Sequence, residues 1–138
     1  MTGGGNILKI EKIEELAIIV YRGDYSRGVQ FITPRNFPLQ WGLIKYEKGE
    51  FAKSHIHPDV ERKIIHDQEM IHIEKGSILL RIFNLEKELY ATKILKAGDS
   101  AFFIQGGRGW EALEDTELFE VKQGPFVGNK IVLEEKIK

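Results

Sequence analysis

Apolar residues recur along this chain at every second position or in short runs, and turn residues separate these segments. Leu16–Tyr21 is a run of β-forming residues that ends at the turn pair Gly23-Asp24, and the side chains of Leu39–Glu47 alternate between two faces. Turn signals recur at intervals of roughly 8–12 residues, and helical periodicity is almost absent. The pattern predicts about ten short strands, at Leu16–Tyr21, Val29–Thr33, Leu39–Glu47, Phe51–His57, Glu69–Glu74, Ser77–Asn84, Glu88–Leu95, Ala101–Gln105, Trp110–Leu113, Glu117–Lys122 and Lys130–Glu134.

Two short connections are typical of β-hairpins. The turn pairs Lys75-Gly76 and Glu114-Asp115 each stand between two predicted strands, so we expect a hairpin at each. The N-terminal segment Ile7–Glu15 alternates charged and aliphatic residues and fits either a short helix or an edge strand. Strands this short need closure or a second sheet to protect their edges, so we expect an all-β antiparallel sandwich or barrel in one domain.

The charges exclude some classes of partner. Twenty Lys and Arg residues against 21 Asp and Glu residues give a formal net charge of −1, and the two signs are interspersed. Such a surface has no electrostatic footprint for nucleic acid or for anionic lipid, so we predict neither partner. Because the chain has no cysteine, it has neither a disulfide framework nor a thiolate site.

No membrane segment is predicted. The longest apolar run, Leu16–Tyr21, is far too short to span a bilayer. The start Met1–Gly5 lacks the basic and apolar regions of a signal peptide. Together with the absence of cysteine, these features lead us to expect a cytoplasmic protein.

The segment Gly49–Gly76 holds all four histidines of the chain and Glu69. Alternation along a strand would point the imidazoles of His55 and His57 to one face. Two imidazoles and a carboxylate from a neighbouring strand can form much of a site for a divalent transition metal. His55, His57 and Glu69 are therefore candidate metal ligands. The alternative is a metal-free pocket in which the two histidines hydrogen-bond to Glu69.

The same segment resembles the first motif of the cupin family, G-x5-HxH-x3–4-E-x6-G. Gly49, five residues and then His55-x-His57 match its opening, and Glu69, six residues and then Gly76 match its close. The spacer is longer than in the motif, because the eleven residues Pro58–Gln68 separate the second histidine from the glutamate. A longer loop costs little, so we interpret the spacer as an insertion beside the mouth of the site.

A second stretch resembles the other cupin motif, G-x5-PxG-x2-H-x3-N. Gly98 and Gly106 fall on its glycines, and Ile104 occupies the position of its proline. The histidine position falls on Gly109 by strict count or on Arg108 if the turn is one residue shorter. The run GGRGWE is similar to the GGHGFE-type turn of some small cupins, so Arg108 is the expected replacement. Arginine stays protonated and cannot ligate a metal.

The resemblance implies a fold and a class of site. It implies a cupin-type double-stranded β-helix, a jelly-roll β-barrel, over residues 38–134, with residues 1–37 as an N-terminal edge segment of the same domain. It also implies a site for Fe, Mn, Ni or Zn held by His55, His57 and Glu69, and a homodimer. Because cupins range over many activities, the resemblance names no reaction.

Several other side chains leave two interpretations open. His66 is a substitute ligand or a solvated loop residue, and His72, three residues from Glu69, is expected on the opposite face of its strand. Arg108 either clamps a carboxylate or phosphate bidentately or lies on a surface turn. Arg81 is an inward anion contact or an outward solvated residue. The large aromatic residues form core or, alternatively, a substrate wall; they are Trp41, Phe102, Phe103 and Trp110.

Three functions are consistent with these residues. The first is a divalent-metal cupin that binds or acts on a small oxygenated molecule. The second is a metal-free pocket that binds an anionic small molecule, a sugar derivative or a carboxylate, through Arg108, with a histidine as acid and base. The third is a non-catalytic module with a vestigial pocket.

Overall fold

The computed structural model describes residues 6–128 and 130–133, and these residues form ten β-strands and no helix. In chain order the strands are β1 (Lys9–Ile13), β2 (Ala17–Tyr21), β3 (Gly28–Phe31), β4 (Gly42–Lys45), β5 (Glu69–Lys75), β6 (Ser77–Phe83), β7 (Leu89–Lys96), β8 (Ser100–Phe103), β9 (Gly107–Ala112) and β10 (Glu117–Lys122). No helix in these residues has the length and apolar content that a membrane crossing requires.

The strands form three antiparallel sheets. The largest has the order β1-β2-β8-β5-β10, the second has the order β7-β6-β9, and β3 pairs only with β4. Most neighbours in the two larger sheets are distant in sequence, because successive strands from β5 to β10 repeatedly change sheet. The all-β prediction is confirmed, as two sheets that face each other without closing into a barrel.

The main hydrophobic core lies between the two larger sheets, and strand alternation explains its composition. Ile71 and Ile73 of β5 are buried, as are Leu80 and Ile82 of β6, while the residues between them are more exposed. Each strand therefore turns one face to the other sheet. Burial of these aliphatic side chains is the main force that holds the sheets together.

A second cluster covers part of the outer face of the five-stranded sheet. The Trp41 and Phe37 rings stack on Phe102 of β8, with centroid distances of 5.9 and 6.2 Å. Phe103, the next residue, belongs to the core between the sheets. Strand β8 is therefore buried on both faces, which explains why all four of its residues are buried.

The two predicted hairpins are wrong. Strands β5 and β6 lie in different sheets, and so do β9 and β10. At Gly76, φ is +86°, and a Cβ atom there would collide with the backbone and side chain of Thr116. The turn is thus a corner between sheets. A short turn between two strands that are each buried on one face has the same sequence pattern in a hairpin and in a corner between sheets. The pattern alone therefore does not distinguish the two.

The strand predicted at Phe51–His57 is also wrong. The segment is irregular and lies at the surface, with Phe51 76% and Ile56 89% exposed. The alternating apolar side chains of this segment pack on no other apolar surface, so a strand there would bury little apolar area. Ile7–Glu15 contains an edge strand, β1, and no helix. Residues 130–133 form no strand, and Glu134 lies outside the described residues.

Candidate functional site

An ion pair joins the two larger sheets at the side where β9 faces β5. Arg108 of β9 lies opposite Ile82 of β6, so its side chain points into the space between the sheets. Glu69 begins β5 on the same inward face as Ile71. Arg108 Nε donates a hydrogen bond of 2.8 Å to Glu69 Oε1, and Nη2 donates to the same oxygen. The two side chains are only 19% and 7% exposed, so the pair is largely shielded from water.

A second carboxyl group joins this pair from strand β10. Glu120 and Lys122 lie opposite Ile71 and Glu69 in the β5–β10 register, on the inward face. When one of them is protonated, the neighbouring Glu120 and Glu69 carboxyl groups share a hydrogen bond. Lys122 Nζ lies 3.7 Å from Glu120 Oε1 at the more exposed rim. Two carboxyl groups and two cations thus meet where the two sheets approach each other.

The two carboxyl groups differ in their affinity for protons. Burial raises the pKa of Glu69, the hydrogen bond to Glu120 raises it further, and Arg108 opposes both. The hydrogen bond from Glu69 lowers the pKa of Glu120, while burial acts in the opposite direction. Glu69 therefore binds a proton more readily than Glu120 does, and the two groups titrate together.

Two aromatic rings form the floor of this cluster. The Phe103 and Trp110 rings stack with their centroids 6.1 Å apart and their planes 9° apart. Arg108 Cζ lies 5.4 Å from the Phe103 centroid, which is within the range of a cation–π contact. We call Glu69, Phe103, Arg108, Trp110 and Glu120 the inter-sheet cluster. It offers a positioned guanidinium, an aromatic surface and two neighbouring carboxyl groups.

The structure brings Glu69 and Arg108 together but leaves the predicted histidine ligands elsewhere. His55 and His57 lie in the exposed segment that precedes β5, with ring centroids 4.9 Å apart. His66 is also exposed. Within residues 6–128 and 130–133, no three His, Cys, Asp or Glu side chains are grouped so as to hold a metal ion. The side chains of His55, His57 and Glu69 do not come together as a metal coordination sphere. The Glu69 oxygen Oε1 instead accepts a hydrogen bond from Arg108.

His72 and Arg81 point away from the inter-sheet cluster. His72 lies on the outer face of β5, as alternation predicts, and a hydrogen bond of 2.6 Å joins its Nδ1 to Ser100 Oγ. Arg81 lies between the core residues Leu80 and Ile82, on the other face of β6. Both residues are outward-facing, so neither contributes to the cluster.

Sequence reasoning missed Glu120. The alternation in β10 does place Glu120 on the same face as the partly buried Leu118, and this was the available signal. An inward glutamate beside an apolar residue needs a partner. That partner could be identified only from the pairing of β10 with β5, which joins segments about fifty residues apart in the chain.

Comparison of the chain with protein-family models, with curated proteins and with solved structures found no match. Nothing beyond the residues themselves therefore assigns a family or an activity.

Proposed function

We propose that this chain is a metal-independent, cupin-type protein that binds a small anionic molecule, a sugar derivative or a carboxylate, through Arg108. One observation carries the proposal: a largely buried guanidinium stands between two sheets, above an aromatic floor. Guanidinium groups in partly desolvated sites bind carboxylates and phosphates bidentately.

The arrangement of strands supports the cupin-type part of the proposal. Glu69 comes from the first motif and Arg108 from the second, and the two residues meet between the sheets. Strand β5 pairs with β8 and β10, and β6 pairs with β7 and β9, so the chain passes back and forth between two facing sheets. Alternation of this kind is typical of jelly rolls. Homodimer formation stays a prediction from the resemblance.

Arg108 has donors to spare for a ligand. Its Nε and Nη2 atoms both donate to Glu69, whereas Nη1 donates only a long 3.4 Å bond to the Gly106 carbonyl oxygen. A guanidinium carries five N–H donors in a planar fork. A carboxylate or phosphate that approached the Nη1 and Nη2 edge would receive two parallel hydrogen bonds. Trp110, at the floor of the cluster, would contact the apolar face of such a ligand.

Thermal unfolding with a panel of sugar phosphates and small carboxylic acids tests this proposal. A ligand at about one hundred times its Kd should stabilise the wild-type chain by about 2.7 kcal/mol. Arg108→Ala should abolish the shift, and Arg108→Lys should weaken it because lysine keeps the charge without the fork. Arg62→Ala, which removes an exposed arginine of the segment before β5, is the matched control and should keep the full shift.

Two results would contradict the proposal. One is the absence of a shift for every compound in the panel with the wild-type chain. The other is a shift that persists in Arg108→Ala. Each variant is compared with its own ligand-free transition, so a loss of stability in Arg108→Ala does not obscure the result.

A divalent-metal site held by His55, His57 and Glu69 is the second candidate function. The observation that favours it is the edge-to-face approach of the two imidazoles, at 4.9 Å between centroids, in the segment that leads to Glu69. Such a site requires that the segment before β5 move inward and that Glu69 leave Arg108. The metal would supply Lewis-acid polarisation of a small oxygenated ligand.

Metal content of the purified, untagged protein tests this second candidate. Inductively coupled plasma mass spectrometry should find close to one equivalent of transition metal per chain, and His55→Ala/His57→Ala should lose it. Absence of metal from the wild-type chain after loading and desalting would exclude the site.

A further inference from the structure

One buried polar side chain, Gln68, lines an otherwise apolar cavity on the outer face of the five-stranded sheet. The cavity has a volume of about 580 Å³, within the range of about 300–1,000 Å³ that is typical of small-molecule sites. Ile18 of β2 and Ile104, which follows β8, line its floor. Phe37 lines a wall that is in place before a ligand binds, because its ring stacks on Phe102.

The sheet holds Gln68 in position. This residue comes directly before β5, is only 2% exposed and lies on the same face of the strand as Met70 of the second hydrophobic cluster. The Gln123 amide N–H donates a hydrogen bond of 3.0 Å to the Gln68 carbonyl oxygen, which continues the β5–β10 ladder by one residue. Gln68 is therefore fixed, unlike the irregular segment before it.

The two ends of the Gln68 amide group differ in their partners. Oε1 accepts a hydrogen bond of 3.3 Å from the backbone N–H of Leu39, and this contact identifies the oxygen end of the amide. Among the residues that the structure describes, no acceptor lies within hydrogen-bonding distance of Nε2. The buried Gln123 Oε1 has no donor in this part of the chain either, so the two amide groups do not bond to each other. An N–H donor in such a place is stabilised by a ligand that brings an oxygen atom.

The charges at the rim favour an uncharged ligand. Lys12 and Lys63 line the cavity, and so do Glu14 and Glu15. Two ammonium groups against two carboxylates leave no net charge to attract an ion of either sign. An ionised ligand would lose its hydration against the apolar floor without a compensating charge.

The rim also exposes apolar side chains to water. Ile64 and Ile65 both line the cavity, and Ile65 is 76% exposed. Both belong to the irregular segment that precedes β5. A ligand that contacted Ile65 would remove apolar surface from water next to an apolar floor, which favours binding.

We propose that this cavity binds an uncharged small molecule with an apolar body and one carbonyl oxygen. The body lies on Ile18 and Ile104 and contacts Ile65, and the oxygen accepts a hydrogen bond from Gln68 Nε2. Aryl ketones, esters and amides have this chemistry. The site is distinct from the inter-sheet cluster and does not depend on the function proposed for Arg108.

Three probes of similar shape test the proposal on the full chain. 2-Acetylnaphthalene carries the carbonyl oxygen, 2-isopropenylnaphthalene has a methylene group in place of that oxygen, and 2-naphthoate carries a charge. NMR titration of the ketone should give one saturable site. The ketone should bind more tightly than the naphthoate, because the rim supplies no net charge for the carboxylate.

The wild-type chain reports the position of the probe directly. In protein labelled with nitrogen-15 and at the isoleucine methyl groups, the ketone should shift the Gln68 side-chain amide resonances together with Ile18 and Ile104. The hydrocarbon should shift the methyl resonances and leave the Gln68 amide nearly unchanged. The Trp110 indole resonance should stay in place with both probes. These measurements need no variant at a buried position.

A variant of Gln68 measures the hydrogen bond. Gln68→Met keeps the length of the side chain but removes the donor, so the affinity for the ketone relative to the hydrocarbon should fall about fivefold to tenfold. Any change in the shape of the cavity affects both probes and cancels in this ratio. Ile65→Ser should weaken both probes several-fold, since it removes an apolar contact. Val60→Ser changes a 58% exposed valine of the same segment that does not line the cavity, and it should leave both affinities unchanged.

Four results would overturn the proposal. The first is titration of the ketone without saturation, and the second is tighter binding of the naphthoate than of the ketone. The third is a ratio of ketone to hydrocarbon affinity that is the same in Gln68→Met as in the wild-type chain. The fourth is an equal loss of affinity in Val60→Ser and Ile65→Ser, which would mean that the probes bind the exposed segment in general.

Discussion

Within the part of the chain that the structure describes, two ion pairs join the three-stranded sheet to the five-stranded sheet, one on each side of the sandwich. Arg108 of β9 pairs with Glu69 of β5, and Lys93 of β7 pairs with Glu11 of β1 at 2.7 Å. The side chains of Lys93 and Glu11 are 29% and 28% exposed, whereas Glu69 is 7% exposed. The two pairs therefore have the same charges and similar geometry but different access to water.

Their carboxyl groups respond in opposite directions. The hydrogen bond from Lys93 lowers the pKa of Glu11, and a 2.7 Å hydrogen bond from the Tyr21 hydroxyl lowers it further. The pKa of Glu69 is raised, because loss of water outweighs the effect of Arg108. A cation at hydrogen-bonding distance therefore does not by itself hold the pKa of a carboxyl group below its ordinary value. The Glu69 carboxyl group therefore keeps its proton to a higher pH than the Glu11 carboxyl group does.

The largest expected difference between the two pairs is in the cost of removing the cation. Arg108→Ala leaves the Glu69 carboxyl group, which is only 7% exposed, without its cation, so we expect a loss of about 2–4 kcal/mol in the free energy of unfolding. Lys93→Ala leaves Glu11 within reach of water, and we expect a loss of about 0.2–1 kcal/mol. Urea denaturation at neutral pH measures both values. Equal losses would mean that burial does not distinguish the pairs.

A smaller difference is expected in the pH dependence of stability. The raised pKa of Glu69 means that its contribution is present at acid pH and is lost as the pH rises through the folded-state pKa. The lowered pKa of Glu11 means that its contribution is present above the ordinary value of 4.5 and is lost as the pH falls. From about pH 4 to pH 7, wild type should lose stability relative to Glu69→Gln and gain it relative to Glu11→Gln, by about 1 kcal/mol or less.

Thermal unfolding of the three proteins across this range gives the two slopes. The lowered pKa of Glu120 acts against that of Glu69, so Glu69→Gln/Glu120→Gln is the matched control. Slopes of the same sign for Glu69→Gln and Glu11→Gln would contradict the assignment of opposite shifts.

The smallest expected effect concerns salt. A double-mutant cycle for Lys93 and Glu11 should give a coupling energy of a few tenths of a kcal/mol, about half or less of which survives at about 1 M salt. The cycle for Arg108 and Glu69 should change much less, because ions do not reach a pair that is so little exposed. A coupling energy between Arg108 and Glu69 that falls as steeply with salt would indicate that water enters the cluster freely.

Much of the fold could be predicted from local patterns, because alternation depends only on which face of a strand is buried. The predicted strand Leu16–Tyr21 contains β2, and Glu117–Lys122 coincides with β10. The pattern does not encode which strands become neighbours, and this is why the corner at Gly76 was interpreted as a hairpin. At Phe51–His57, alternation was present without a surface to pack against, and the segment forms no strand.

The same distinction applies to the candidate site. Glu69 and Arg108 stand on strands; the motif spacing predicts Glu69, and the similarity of GGRGWE to the GGHGFE-type turn predicts Arg108. His55 and His57 were identified by the same spacing, but their positions depend on a segment that no ladder holds. Glu120 belongs to the cluster only because β10 pairs with the edge of β5. Local sequence does not indicate a pairing between strands so distant in the chain.

The position of β8 at the centre of the larger sheet has a consequence for how the chain folds. Its Ala101 pairs with Ile19 of β2, and the two residues stand 82 positions apart (101 − 19). Closing such long loops slows folding, and domains dominated by distant strand pairs commonly fold in milliseconds to seconds. During synthesis β2 emerges long before its partner and exposes an apolar strand edge until β8 follows. A chain truncated before Ser100 would therefore be expected to aggregate rather than to fold in part.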